Sequence, residues 1–359
     1  MPKFSLLLRC SLLVVLGLAP TLNAAELPAR PKVGLVLGGG GARGEAHIGG
    51  HEVLDKKRVP DDCIAGTSMG GLVAGAFAGG IAPARMREQL AAADWNDMFV
   101  DNPEYSEMAY RNKVISRRFQ PGSETGVNLD GVRYQAGVVA GQKIKLFFNE
   151  LVRDNQGERR IEALPLPLAL VATDIGTGER VVFREGGLTV AMRASMSVPG
   201  LMAPTEYRGR KLVDGGLVDN LPIGEVRNLC KADVVIAINV GSPLMKAEEI
   251  GGIFSVAGQM VNILTEQNVT RSLATLNPDD IYIKPDLDGI SAGDFERSGE
   301  TADRGRQAAE ALRERLASLS LPPAEYAAWR DGVLFADRAS PKIDSVEVVG
   351  LKTVNGQAV

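Results

Sequence analysis

Apolar residues fall along this chain in short unbroken runs separated by longer stretches with a helical period. Val33–Leu37, Cys63-Ile64-Ala65, Leu168–Thr173, Arg180–Phe183, Lys211–Val213, Asp233–Ile238 and Ile281–Ile283 are the strand-like runs. Several have no polar alternation, as expected of strands covered on both faces. Between them, Glu45–Lys57, Leu72–Ala78, Ala191–Met196, a segment carrying Ile253, Val256, Met260 and Leu264 on one face, and the charged Glu300–Leu319 read as helices that pack through their apolar sides. Residues 83–152 read as mostly helical. The aromatic group Trp95, Phe99, Tyr105, Phe147 and Phe148 there is assigned to helix packing, with a lid or membrane-facing patch as the alternative. Strands alternating with helices predict an α/β chain: three layers, α/β/α, around a mostly parallel central sheet.

Two ends of the chain stand apart from this pattern. Lys3 and Arg9 flank an apolar run, Ser11–Ala19, followed by the small residues Ala24 and Ala25, which is the pattern of a secretory signal peptide over residues 1–25. The run is too short to span a bilayer. After Leu321 come two prolines, a helical segment over 322–340, and a strand-like run, Lys342–Gly350. The expected organisation is therefore an exported catalytic domain over 26–321, a helical linker over 322–340, and a further module beginning at 341 and incomplete at 359.

Composition narrows the function classes. Forty basic against 44 acidic residues give no basic footprint for nucleic acid. Once the signal peptide is removed, Cys63 and Cys230 remain. Both have apolar neighbours, and they are assigned as small buried hydrophobes rather than a bridge.

Chemistry concentrates at two glycine-rich turns. Four consecutive glycines, Gly38–Gly41, follow the first strand. Residues without Cβ leave backbone N–H groups free to face an anion, and the helix behind adds its positive end. The pattern Gly39-x-Gly41-x-x-Gly44 also matches a dinucleotide fingerprint, with Asp61 or Asp62 near the distance of a ribose-binding acid, so a dinucleotide-binding oxidoreductase is one reading. Arg43 sits where a pyrophosphate site has a small residue. The second turn, Gly66-Thr67-Ser68-Met69-Gly70, lies between a strand and a helix, the setting of a nucleophile elbow. A serine nucleophile needs a base, and the chain has only two histidines, His47 and His51, both just behind the glycine loop. A Ser-Asp/Glu-His hydrolase places its histidine late in the chain, so both are assigned to packing or the surface. Asp214, in Asp214-Gly215-Gly216 at the end of a strand, is the remaining candidate base; desolvation beside the nucleophile would raise its basicity.

These three motifs in this order resemble the patatin-like phospholipase family, over about Lys32 to Leu321. The resemblance implies that Gly39, Gly40, Gly41 and Arg43, with Gly44, form an oxyanion loop, and that Ser68, flanked by Gly66 and Gly70, is the nucleophile. It implies that Asp214, followed by Gly215 and Gly216, is the general base of a Ser–Asp dyad. Ala172-Thr173-Asp174, Arg193–Gly200 and Asn220-Leu221-Pro222 agree with the family pattern, whereas Asp219 replaces a frequent asparagine. The implied activity is phospholipase A-type acyl hydrolysis of a phospholipid or fatty ester at a membrane or micelle surface, without metal or cofactor and without nucleic acid. A non-catalytic lipid-binding module is the other alternative. The final strand resembles the start of a polypeptide-transport-associated repeat, which implies a passenger carried to the outer membrane or cell surface.

Overall fold

The computed structural model describes residues 30–334 except 101–104, 107, 119–125, 129–130, 134–136 and 154–156, together with Asp344, Ser345 and Glu347. The expected signal peptide and nearly all of the C-terminal strand segment lie outside the described residues.

In chain order the first half comprises β1 (Val33–Leu37), α1 (Ala46–Lys57), β2 (Cys63–Thr67), α2 (Met69–Ala78), α3 (Pro83–Ala91), α4 (Trp95–Met98), α5 (Tyr110–Arg118), a hairpin β3 (Gly126–Asn128) and β4 (Gly131–Arg133), and α6 (Gln142–Leu151). The second half comprises β5 (Leu168–Asp174), β6 (Arg180–Phe183), α7 (Leu188–Ser195), β7 (Thr205–Tyr207), β8 (Arg210–Asp214), α8 (Ile223–Leu229), β9 (Val234–Ile238), α9 (Ile253–Leu273), β10 (Ile281–Ile283), α10 (Ser298–Glu310), α11 (Arg313–Ala317) and α12 (Pro323–Val333).

The main sheet has the order β10-β9-β1-β2-β5-β8-β7, with β6 also paired to β5. Pairing is parallel from β10 through β5 and antiparallel beyond it. Because side chains alternate across a strand, Leu35, Leu37, Ile64 and Leu170 enter the larger core beneath α1, α2 and α10. Val36, Cys63, Ala65 and Ala169 enter a smaller one beneath α8 and α9. Both sides of β1, β2 and β9 are thus covered, and all residues of these strands are buried. This is the expected three-layer arrangement.

Small residues set the close contacts between layers. A Cβ on Gly49 of α1 would lie 1.7 Å from the Ala302 carbonyl, and one on Gly305 of α10 would lie 1.9 Å from that of Ala46. The two helices therefore cross backbone to backbone, which explains the alanine side of α10. The expected packing role holds for Trp95, Phe99, Phe147 and Phe148, whereas Tyr105 is exposed. Trp95 is buried and stacks on Phe295, 4.5 Å between ring centres, with Phe147 at its edge. The helix within the expected linker, α12, docks on α1: Tyr326 Oη donates to Asp55 (2.7 Å) and Arg330 Nε pairs with the same carboxylate (3.0 Å).

Two expectations require correction. Cys63 and Cys230 are not free thiols but a disulfide, with 5.9 Å between their Cα atoms. Their separation of 167 residues concealed a pairing that only the packing of α8 on β2 creates. It ties the start of β2 to the end of α8 on the side with the smaller core. Closing so long a loop restricts the unfolded chain, so replacing both cysteines by alanine should lower stability by about 2–5 kcal/mol. Chemical denaturation with and without reductant measures this; equal midpoints would show that the bridge contributes nothing. The second correction concerns α9. Its Val256, Met260 and Leu264 face is exposed, at 48%, 60% and 43%, rather than packed against the sheet. The helix instead buries Asn268 and Val269.

Candidate active site

The loop after β1 and the turn after β2 end side by side because β1 and β2 are parallel neighbours, with Leu37 opposite Gly66. Ser68 occupies the tight turn into α2 with φ +54° and ψ −127°. A non-glycine residue in that region stores about 1–3 kcal/mol and persists only where its surroundings hold it. Here the flanking glycines allow the turn: a Cβ on Gly66 would lie 2.4 Å from the Gly70 carbonyl, and one on Gly70 2.3 Å from that of Leu37. Ser68 N–H donates to Ser195 Oγ (2.9 Å), whose own hydroxyl donates to the Val171 carbonyl of β5 (2.6 Å). The strained turn is thereby pinned to the next strand.

Asp214 reaches the same point from the far side, at the end of β8. Its N–H donates to the Ser197 carbonyl (2.9 Å) and its carbonyl accepts from Thr173 Oγ1 (2.8 Å). Ser68 Oγ donates to Asp214 Oδ2 at 2.5 Å, and Gly216 N–H donates to Oδ1 at 2.7 Å. Both side chains are 7% exposed. Burial raises the Asp214 pKa to about 6, against the opposing effect of these two hydrogen bonds. Gly215 is needed for close approach, since a Cβ there would lie 2.3 Å from the Val171 carbonyl.

The glycine loop is held from three directions. Gly39 N–H donates to the Asn220 carbonyl (3.2 Å), and Asn220 Nδ2 donates back to the Gly39 carbonyl (3.1 Å). A Cβ on Gly39 would stand 2.9 Å from Ser68 Cβ, so the loop lies against the serine. Beyond it, Gly44 is required by Met69, whose side chain would lie 2.3 Å from an added Cβ. The Arg43 guanidinium is buried and donates to the carbonyls of Val240, Leu287, Ile290 and Gly241. This revises the oxyanion set implied by the resemblance: the Gly39 N–H is already committed and the Arg43 side chain braces the loop from behind. The N–H groups of Gly40 and Gly41, at a half-buried stretch, have no hydrogen-bond partner among the described residues.

Both histidines are buried and engaged elsewhere. His47 Nε2–H donates to the Gly38 carbonyl (2.7 Å), and burial lowers its pKa to about 4, so the ring is neutral and supports the glycine loop. His51 Nε2 pairs with Asp61 (2.8 Å) against the Phe77 ring. Asp62 accepts the Val33 N–H (2.7 Å). Neither Asp61 nor Asp62 is therefore free for a ribose, which removes the structural basis of the dinucleotide reading. Asp219, the departure from the family pattern, pairs with Arg180 (2.5 Å), and Thr67 Oγ1 donates to its carbonyl. Sequence reasoning quoted Ser195 and Asn220 only as landmarks and missed Asn268, which accepts the Asn220 N–H and donates to the Gly216 carbonyl. A lone asparagine on a helix carries no sequence signal for such a link.

An uncharacterized NTE family protein of Mycobacterium tuberculosis is 35% identical over 222 residues, 62% of this chain and 52% of its own. Lysophospholipase NTE1 of Debaryomyces hansenii is 28% identical over 316 residues, 82% of this chain and 19% of its own. The chain thus spans about half the length of the mycobacterial relative. Among solved structures, VipD from Legionella pneumophila aligns with a TM-score of 0.43 and 16% identity, covering 80% of this chain and 67% of that one. The family model described as patatin-like phospholipase matches residues 35–227, from the first strand through Ser68 and Asp214 to α8. With more than half of its length matched in this way, the chain belongs to the patatin-like phospholipase family.

Proposed function

We propose that this protein is a serine lipid acyl hydrolase of the phospholipase A type, working through a Ser68–Asp214 dyad. The observation that carries the reading is the 2.5 Å contact of Ser68 Oγ with Asp214 Oδ2 at a strained turn beside a glycine loop. Ser68 Oγ attacks the ester carbonyl carbon as its proton passes to Asp214. The oxyanion is held by the N–H groups of Gly40 and Gly41 and by the Met69 N–H, the first of α2. Collapse of the intermediate expels the alcohol, which takes the proton from Asp214. Water then adds to the acyl-enzyme, giving its proton to Asp214, which returns it to Ser68 Oγ as the fatty acid leaves. A fluorophosphonate probe tests this directly. Labelling confined to Ser68 is expected; an unlabelled, folded protein would favour the lipid-binding module instead.

A lipid surface as the place of action has support in α9. Residues 253–265 carry no charge, and Val256, Met260 and Leu264 are exposed there. One turn further along the same helix, Asn268 holds the Gly216 turn. A bilayer against that face would lie over the helix that supports the base. Turnover of phospholipid should therefore rise steeply at the micelle threshold, and replacing Val256 and Met260 by serine should flatten the rise. A smooth saturation curve through the threshold counts against it. Export, as a periplasmic or surface-bound enzyme, is part of the same proposal; the Cys63–Cys230 bridge supports an oxidising compartment.

A further inference from the structure

We propose that the cleft between β1 and β9 is a head-group subsite for a zwitterionic phospholipid, its phosphate on Lys284 and its ammonium among carboxylates. This rests on the hydrolase reading and names the substrate class for that site. The chain leaves β1 toward β2 on one side, while β9 and β10 lie on the other. Loops leaving adjacent parallel strands in opposite directions open a crevice at the carboxyl ends, where ligands bind in open α/β sheets. A cleft of about 400 Å³ lies there, a size suited to a small polar group. It is walled by Asn220, Asn239, Thr265, Glu266, Lys284 and Asp288, with Asp286 beside them.

Asn220 is the shared wall between cleft and nucleophile. Its amide holds the Gly39 carbonyl, and Gly39 lies against Ser68. Asn220 and Gly39 are therefore the two residues that link the cleft to the nucleophile. The charges are also unbalanced in an informative way. Arg43 lines the cleft, but its guanidinium is taken up by carbonyl oxygens. Lys284 has no hydrogen bond or ion pair among the described residues, and its side of the cleft is exposed. Besides the buried Arg43, the charges that line the cleft with it are the carboxylates of Glu266, Asp286 and Asp288. One available cation with several anions suits a phosphate joined to an ammonium group. A glycerol head group brings the phosphate charge without the amine, and so meets more repulsion than attraction. The apolar face of α9 adjoins the cleft through Thr265 and Glu266, which places lipid chains and polar head on neighbouring surfaces.

The test separates binding from catalysis. Glycerophosphocholine, titrated calorimetrically into the Ser68→Ala protein, should bind, and adding Lys284→Met should weaken binding about tenfold. Turnover of dihexanoylphosphatidylcholine below its micelle threshold, relative to p-nitrophenyl butyrate, should fall about tenfold in Lys284→Met. The double variant Glu266→Gln, Asp288→Asn should shift preference toward dihexanoylphosphatidylglycerol. No binding of glycerophosphocholine at millimolar concentration, or a turnover ratio unchanged by Lys284→Met, overturns the subsite. Because the calorimetric arm uses a protein without its nucleophile, it stands whether or not the dyad assignment is right.

Discussion

Replacing Ser68 by alanine should lower ester hydrolysis by about 10⁴-fold or more and abolish fluorophosphonate labelling, with the fold intact. The reason is that the neighbouring hydroxyl among the described residues cannot take its place. Ser195, the nearest in the network, donates its proton to the Val171 carbonyl and accepts the Ser68 N–H, so it is committed to structure. Alanine keeps the backbone strain of φ +54° and loses the hydrogen bond to Asp214. Glycine at the same position adopts that conformation freely. Ser68→Gly should therefore be equally inactive yet more stable than Ser68→Ala by about 1 kcal/mol. Steady-state rates on a short-chain fatty ester and thermal melts of both variants check the pair. Substantial activity in a folded Ser68→Ala protein would remove the nucleophile assignment.

Asp214→Asn carries the second large effect, and here activity and stability should move in opposite directions. An amide cannot take the Ser68 proton, so turnover should fall nearly as far as in Ser68→Ala. In the wild-type protein kcat/KM should rise with pH through about 6, as Asp214 ionises, and then level off. The stability sign follows from the same shift. The folded-state pKa lies above the unfolded value, so Asp214 favours folding below about pH 3.8, and this contribution is lost as pH rises through about 6. At pH 7 the buried charge opposes folding, on the order of 3 kcal/mol. Asp214→Asn removes it and should melt higher than wild type at pH 7, with the gap closing near pH 4. His51→Ala is the control: it breaks the pair with Asp61 and lowers stability, yet turnover per folded molecule should persist. A folded histidine variant as inactive as Ser68→Ala would replace the dyad with a triad.

Much of the active-site frame was legible in the residue order alone. Val33–Leu37 and Val234–Ile238 are unbroken apolar runs because both faces of the sheet are covered, and that property is local to each strand. The turns Gly38–Gly41 and Gly66–Gly70 are legible for a similar reason: only glycine tolerates the backbone approaches they make, so the requirement is written into residue type. The absence of a late histidine pointed to a carboxylate base before any distance was known.

What the tertiary structure decided concerns partners distant in the chain. Whether Cys63 meets Cys230 depends on α8 packing over β2, and nothing near either cysteine encodes that contact. The spacing of Val256, Met260 and Leu264 identifies a helical face but not whether protein or solvent lies against it. Arg43, placed by motif in the oxyanion loop, turns its guanidinium away because the carbonyls that bind it belong to segments 197 to 247 residues further on. The basicity of Asp214 likewise comes from burial created by β5, β8 and the Ser68 turn together. Sequence determines residue type and local geometry; desolvation and long-range hydrogen bonding exist only once the chain has closed on itself.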